Sequence, residues 1–414
     1  MTDSAFTYRF LIALACVLIL TALFNFIINP FGLFPIPAIN KLNRIKIETE
    51  HRQRLTKPYI VAERKPDAVI IGTSRALQID DHHPAFNALH AYNLALASAS
   101  AYENYRYLQH AEAENPLRLV IYGLDEFAGG GGSYTGFSEN RLAVTAGGMP
   151  NNYLFFSQLK DYVPALLSFD ALRSSINTIA YQPPYKVKNP RRYLRSIDRK
   201  EMVETYGHNW KFADIEAAYL RKAIHTGTHP ESDDITVNTW VSRLTSLRQI
   251  IRFSYQHNIK LIIFISPSHA HMMEVWKLSG KWSDLENWKR AIVSIDDEEA
   301  RKAGGQPFAV WDFSGYNSIT TETVPPPDDK HTMMKWYTEA SHYTMDTGDL
   351  ILDRILGYHQ PQRILPADFG VTLDRSNIEK NLARIRQEQA RYTQTHPADV
   401  AAIKALATDI ARHQ

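Results

Sequence analysis

Cysteine is almost absent from this 414-residue chain, Cys16 being its only one. Disulfides within the chain are therefore impossible, and metal sites built on thiolates are excluded. An excess of charge of either sign is also missing. Lys and Arg number 46 against 44 Asp and Glu, a formal +2, so no overall field points to nucleic acid as a partner. No Gly-Lys-Ser/Thr follows the glycine run Gly129–Gly132, which removes a phosphate-loop reading of that cluster. There is no internal repeat. What is left is a globular composition, 44% hydrophobic and 22% charged, at a length that holds one large domain or two modest ones.

One long apolar run stands out. Leu11 to Ile28 reads LIALACVLILTALFNFII, interrupted only by Thr21 and Asn25. As a helix it is about long enough to cross a hydrocarbon core of roughly 30 Å. Asn29-Pro30-Phe31-Gly32 then breaks it, and no small-x-small cleavage site follows directly. An uncleaved anchor is expected, in preference to a removed signal peptide or a buried core helix. Orientation stays open on charge alone. Arg9 precedes the run while Lys41, Arg44 and Lys46 follow it, which by strict count keeps the remainder cytoplasmic. Those charges begin well past the run, however, and large domains cross largely regardless of them.

Five short segments read as buried parallel strands: Ala68–Thr73, Ala91–Ala95, Arg118–Gly123, Lys260–Ser266 and Phe308–Phe313. Helical patterns separate them. Ala101–Glu114 follows the second, and Trp240–His257 sets Leu244, Leu247 and Ile251 on one stripe before the fourth. The alternation predicts an α/β fold, a parallel sheet with helices on both faces. A long insertion without clear strands, about 129–236, interrupts it and carries the basic run Lys186 to Lys200. That run suits anionic lipid headgroups or an acidic glycan, or is a solvated charged face. After about Pro366 the chain reads as a helical tail.

In open sheets of this kind, sites form at the carboxyl ends of strands. The first strand ends in Gly72-Thr73-Ser74-Arg75, which is either a simple turn or an exposed nucleophile. A serine nucleophile needs a base within reach, and the base needs an orienting acid. Glu339-Ala340-Ser341-His342 offers both from one loop, Glu339 for the imidazole Nδ1–H and His342 for Ser74. Gly348 and the apolar-striped Leu350–Leu356 segment would begin the helix that holds this loop.

These blocks resemble the SGNH (GDSL-like) hydrolase superfamily, in a membrane-anchored branch similar to the teichoic acid D-alanyl-transfer and alginate O-acetylation proteins. The nucleophile block is Ala68–Arg75, the second Tyr92–Ser100, the third Val120–Asp125, and the acid–histidine block Glu339–Gly348. The resemblance runs from about Pro66 to Leu356, with the insertion unaccounted for. It implies Ser74 as nucleophile, His342 as base and Glu339 as orienting acid, where the family usually has aspartate. The second-block glycine that lends an oxyanion N–H is replaced by alanine, Ala95 or Ala97. The third-block asparagine is replaced by Asp125, and a carboxylate cannot donate unless protonated. Arg75 would then either pair with Asp125 or bind an anionic substrate group.

Other clusters read more plainly. Asp80-Asp81-His82-His83 resembles a ligand set, but adjacent residues rarely converge on one ion, so no metal and no cofactor are expected. His269 and His271, flanking an apparent strand end, either line the site or are helix-cap or packing residues, the second being expected. The Gly129–Gly132 run, beside the third strand's end, suits a lid or substrate entrance.

The expected architecture is an N-terminal membrane anchor (1–34), a three-layer α/β/α, flavodoxin-like SGNH domain (35–365) with about five parallel strands, and a helical tail (366–414). The resemblance implies a single-pass bacterial inner-membrane protein with an extracytoplasmic domain. Its function would be a serine esterase or O-acyltransferase on a cell-envelope or exported polysaccharide, working beside a membrane-bound acyl-donor protein. The contrasting expectation is a catalytically degenerate relative that binds glycan or serves as a scaffold.

Overall fold

The computed structural model describes residues 3–126, 136–228 and 230–413 and, of residues 224–242, the backbone alone. The glycine run expected as a lid, Gly129–Gly132, lies outside the described residues. Among the described residues are fourteen α-helices and six strands. The chain opens with helices α1 (Asp3–Ile28), α2 (Ile47–His51) and α3 (Gln53–Arg64). Strands β1 (Ala68–Ile71) and β2 (Ala91–Asn93), helix α4 (Ala101–Glu114) and strand β3 (Leu119–Leu124) follow. Helices α5 (Leu154–Leu167), α6 (Phe169–Ala180), α7 (Pro190–Tyr206), α8 (His208–Thr228) and α9 (Pro230–Gln256) fill the insertion and lead to β4 (Lys260–Ile265). The remainder is α10 (Ala270–Leu278), α11 (Trp282–Ala303), β5 (Ala309–Asp312), α12 (Met345–Leu356), β6 (Val371–Leu373), α13 (Ile378–Thr395) and α14 (Pro397–Arg412).

The six strands form one sheet in the order β2-β1-β3-β4-β5-β6. The five expected strands are all present, each within two residues of its sequence bounds, and pair in parallel. All four residues of β1 are buried, as is all of β4 except Lys260. Side chains on both faces of these central strands are thus covered, which is why their sequences are continuous apolar runs rather than alternating ones. The order reverses between β1 and β3, and a crevice at such a reversal is where open parallel sheets place ligands.

Two expectations need correction. The sheet is mixed rather than purely parallel, because β6 pairs antiparallel with β5 through Val310↔Leu373 and Asp312↔Val371. The segment after Pro366 is consequently not all helix. Three residues, Val-Thr-Leu, are too few to show a period, and their pairing depends on a partner strand far back in sequence.

By internal contacts the chain falls into two compact units. One comprises Met1–Lys65, Gln109–Glu114 and Thr135–Arg195, the other Pro66–Leu108, Asn115–Tyr134 and Ser196–Gln414. Residues 1–34 therefore share a unit with part of the insertion, and the tail belongs with the sheet. In the first unit α1 is long and apolar enough to cross a membrane. Its last turns are tied down by amides. Asn25 donates to the Leu166 carbonyl at 2.9 Å and accepts from Ser175 Oγ at 2.8 Å, while Asn43 donates to the Ile27 carbonyl at 3.0 Å.

Polar links fasten the tail to the sheet unit. The buried Lys289 ammonium on α11 donates to Asp312 Oδ2 (2.7 Å) and Ser314 Oγ (2.6 Å), and Asn381 of α13 donates to the same Asp312 oxygen at 3.0 Å. A second link is built on histidine. His271 in the first turn of α10 sits between Glu216 of α8 (Nδ1 to Oε1, 2.8 Å) and Asp399 of α14 (Nε2 to Oδ2, 3.6 Å). Burial opposes its charge, but the two carboxylates outweigh burial and lift its pKa to about 9. Its neighbour His269 caps α10, accepting from the His271 N–H at 3.2 Å and donating from Nε2 to the Glu322 carbonyl at 2.7 Å. Burial and the His271 charge hold His269 far below the usual histidine range. The cap and packing roles expected of this pair are the ones observed, with an ion pair added.

His271 is protonated in the fold well above an unfolded histidine's pKa. Its contribution is therefore full below about pH 6.5 and drains as pH rises through about 9. That contribution is on the order of 3 kcal/mol. We expect His271→Gln to lose stability at pH 6.5 and to flatten the decline between pH 6.5 and 9.5, both read from urea unfolding curves. An equally steep decline in the variant would place the titrating group elsewhere.

Candidate active site

β1 ends at the reversal of the strand order, and the chain turns there through Gly72. Its φ of +145° belongs to a region that side chains rarely adopt. A Cβ at this position would lie 2.6 Å from the Ala76 Cβ and 2.8 Å from the Gly123 carbonyl oxygen. The turn is held on both sides. The Gly72 N–H donates to Asn104 Oδ1 at 2.9 Å, and its carbonyl accepts from Leu96 N–H at 3.1 Å. Beyond it, Ala76–Gln78 form a single 3₁₀ turn. Asn93, the last residue of β2, donates to the carbonyls of Ala76 and Ile79, each at 2.8 Å. Asn93 and Asn104 play no part in the sequence-based expectations, yet between them they fix the serine's turn. Asn93 ends β2 and Asn104 lies in the first turn of α4, and neither position marks its amide as a partner of that turn.

Ser74 projects from this turn with Oγ 2.8 Å from His342 Nε2. The other ring nitrogen, Nδ1, meets Glu339 Oε1 in a short contact. A tight turn brings acid and base together: Thr338 N–H donates to the His342 carbonyl at 2.9 Å and His342 N–H to the Glu339 carbonyl at 3.2 Å. Ser341 N–H donates to the second Glu339 oxygen at 2.7 Å, so both carboxylate oxygens are engaged. Burial by itself would raise the Glu339 carboxyl. The facing imidazole and the Ser341 donors outweigh it and keep the group below the usual carboxylate range. Glu339 is thus a buried anion aimed at the ring of a half-exposed histidine. Ser74 and the distant Glu339–His342 turn form one hydrogen-bonded line.

Two supports hold that line, of which the first went unread in the sequence. His208, the first residue of α8, is fully buried, donates from Nδ1 to the Thr338 carbonyl (3.0 Å) and accepts the Met334 N–H at Nε2 (3.1 Å). Burial lowers its pKa, consistent with the neutral ring that these two bonds require. It pins the segment entering the Glu339 turn. On the far side, α12 begins at Met345 under the Thr344 cap, and Gly348 lies inside the helix rather than at its start. A Cβ on Gly348 would collide with the carbonyl of Gln78, in the 3₁₀ turn after Ser74.

The remaining expected site residues are placed as follows. Arg75 points inward, 2% exposed, with Nη1 3.1 Å from Glu126 Oε2 and 3.7 Å from Asp125 Oδ1. Burial disfavours its charge, but Glu126 and Asp125 outweigh that and raise its pKa. Of the two roles expected for Arg75, pairing with Asp125 is the one present, and Glu126, absent from the expectations, is the nearer partner. Asp125 accepts from the Thr73 hydroxyl in a short contact, and Glu126 likewise from the Ser268 hydroxyl. Tyr219 of α8 completes the cluster; burial, with the Glu339, Glu126 and Asp125 charges, lifts its phenol's pKa. Ala95 is buried and its N–H is taken by Asn93 Oδ1 at 3.1 Å, whereas Ala97 is exposed on the same loop.

Away from this line, Asp80, Asp81 and His82 bring potential ligand atoms within 4.8 Å of one another, closer together than their adjacency led one to expect. The carboxylates are otherwise engaged: Asp80 accepts the His82 N–H at 3.0 Å and Asp81 the Asn93 N–H at 3.1 Å. His83 instead caps the following turn, accepting the Ala85 N–H at 3.1 Å. The basic run is partly spent within the fold, Arg195 on Glu50 at 3.0 Å and Arg199 on the Met334 carbonyl at 3.2 Å. No protein-family model matches this sequence, and no curated protein does.

The Gly348–Gln78 contact generates a test. Gly348→Ala must push α12 off the turn that carries Ser74, and overpacking of this kind costs about 1–3 kcal/mol. A fall in the urea midpoint is expected, and an unchanged midpoint would show that the two segments separate freely.

Proposed function

We propose that this protein is a membrane-anchored serine esterase or O-acyltransferase that works through an acyl-Ser74 intermediate. The observation that carries the reading is the line Ser74 Oγ, His342 Nε2, His342 Nδ1, Glu339, the arrangement a hydroxyl needs to become a nucleophile. In this mechanism His342 takes the Ser74 proton as Oγ attacks an acyl carbonyl. Glu339 holds the ring and stabilises the imidazolium that forms. His342 then returns the proton to the leaving oxygen, and the acyl-enzyme passes to water or to a sugar hydroxyl that His342 deprotonates in turn. The fold in this reading is the three-layer SGNH type, supported by a strand order of 2-1-3-4-5 for the parallel part and by burial on both faces of its centre. The substrate is a cell-envelope or exported polysaccharide, as the acyl ester for an esterase or as the acyl acceptor for a transferase, met outside the cytoplasm beside a membrane-bound acyl donor. The apolar α1 supports the anchor.

One observation favours a second reading, a degenerate relative that binds glycan or acts as a scaffold. Asp125, where the resemblance calls for a donor to the oxyanion, accepts from Thr73 and lies with Glu126 against a single arginine. Losing one oxyanion donor typically costs about 10²–10³ in rate.

The two readings part in one experiment on the full-length protein in its native membranes. Labelling of the wild type by a fluorophosphonate is expected, with Ser74→Ala abolishing it and His342→Ala slowing it about a thousandfold. Glu339→Gln should slow it by a smaller factor, since the ring stays in place. Folded wild type that takes no label would overturn the enzymatic reading and leave the binding one.

A further inference from the structure

Helices α5 and α6 in the first unit have their polarity reversed. On α5, Phe155, Phe156, Leu159, Val163 and Leu167 are exposed, Phe156 at 67%. Their spacing of three, four and four residues from Phe156 onward makes one stripe. The inward side carries charge instead. Asp161 lies there with its side chain 9% exposed, receiving the Tyr59 hydroxyl at 2.6 Å and a two-pronged contact from Arg141 at 2.6 and 2.9 Å. On α6 the exposed residues include Phe169 at 81%, Ile176 and Ile179, while Ala171, Ser174, Ser175 and Thr178 face inward. A helix in water turns its apolar stripe to the core. Both of these helices turn large apolar side chains outward, on α6 beside exposed Asp170 and Arg173, and set mostly small and polar residues inside, Tyr162 of α5 against Phe34 and Tyr59 being the aromatic exception. Small inward residues with a hydrogen bond across the contact are how helices pack when lipid is the solvent. That bond is present here as Ser175 Oγ to Asn25 of α1.

The stripe is also continuous with α1. Asn25 holds both the end of α5, through the Leu166 carbonyl, and the middle of α6, through Ser175. One turn beyond α6, Gln182 bonds both the N–H and the carbonyl of Ile45, at 3.0 and 2.8 Å. Residues 181–188 therefore lie beside the chain that leaves α1. They include exposed Tyr181, Tyr185, Lys186 and Lys188, the aromatic and cationic side chains that favour the headgroup level. Lys160, exposed on α5, has a stem long enough to reach the same level.

We propose that the α5–α6 hairpin is a second membrane-binding element. Its apolar face lies in the outer part of the acyl chains of the leaflet from which α1 emerges, and Lys186 and Lys188 lie against anionic headgroups. The catalytic reading is independent of this assignment. The occupant is lipid rather than a partner protein because the reversed polarity runs without a break from α1, itself apolar enough to be solvated by acyl chains.

The test uses the full-length protein, purified into nanodiscs that contain lipids with a nitroxide high or low on the acyl chain. Native Cys16, exposed on α1, reports the span itself. In a Cys16→Ser background, Phe156→Cys, Val163→Cys and Ile176→Cys carry a fluorophore, and Lys404→Cys on α14 serves as the water-exposed control. The hairpin positions should lose most of their fluorescence, more to the shallow nitroxide than to the deep one, while the control keeps its own. Hairpin labels left unquenched and open to an impermeant maleimide, with Cys16 quenched, would overturn the proposal. So would labels unquenched in nanodiscs yet shielded from maleimide in native membranes, since a protein would then cover the face.

Discussion

Where Gly348 passes the carbonyl of Gln78, two backbone segments distant in sequence come too close to admit a methyl group. One segment is the 3₁₀ turn that follows Ser74, the other the helix that follows His342. Their approach sets the distance between serine and histidine more firmly than any bond between the side chains can. It works because each segment is also held from its other side. Asn93 and Asn104 fasten the serine turn to the neighbouring loop and to α4. His208 fastens the segment before Glu339 to α8. Hydrogen bonds to backbone groups, rather than side-chain packing alone, hold the line in register, and a buried bond of that kind is costly to leave unmade.

Beneath the line lies a second cluster with a different logic. One guanidinium, that of Arg75, faces Glu126 and Asp125, with Glu339 contributing to the same field. Buried ions of this sort add little net stability as a pair, but removing one partner strands the other. Arg75 is thereby committed to the protein's own carboxylates. The hydroxyls of Thr73 and Ser268 supply the remaining donors to Asp125 and Glu126. The negative character left beside Ser74 weighs on both functional readings.

The two units answer to different solvents. In the sheet unit, apolar strands lie inside, as water requires. In the unit containing α1, the last turns of α1 meet α5 and α6 through amides and small residues, and α5 and α6 turn large apolar side chains outward. Tyr59 and Arg141 meet Asp161 on the inner side of α5, beside the apolar cluster of Phe31, Leu33 and Ala165.

Local sequence by itself determined the continuous strands, the apolar α1 and the turn at Gly72-x-Ser74. Each is written in a run of residues whose period or composition has one physical reading. The Glu-x-x-His spacing likewise determined that one short turn can present acid and base together. Only the tertiary structure decided that His342 reaches Ser74, because that distance depends on α12 lying against the 3₁₀ turn. It alone decided that Arg75 pairs with Glu126 more closely than with Asp125, that His208 supports the base, and that Val371–Leu373 form a sixth strand. In each of these cases the partner lies far away in the chain, and no local pattern encodes which distant group will be near. The reversed polarity of α5 and α6 belongs to the same class: their stripes are legible as stripes, but which side faces inward is settled by Asn25, Tyr59 and Arg141, residues of other segments.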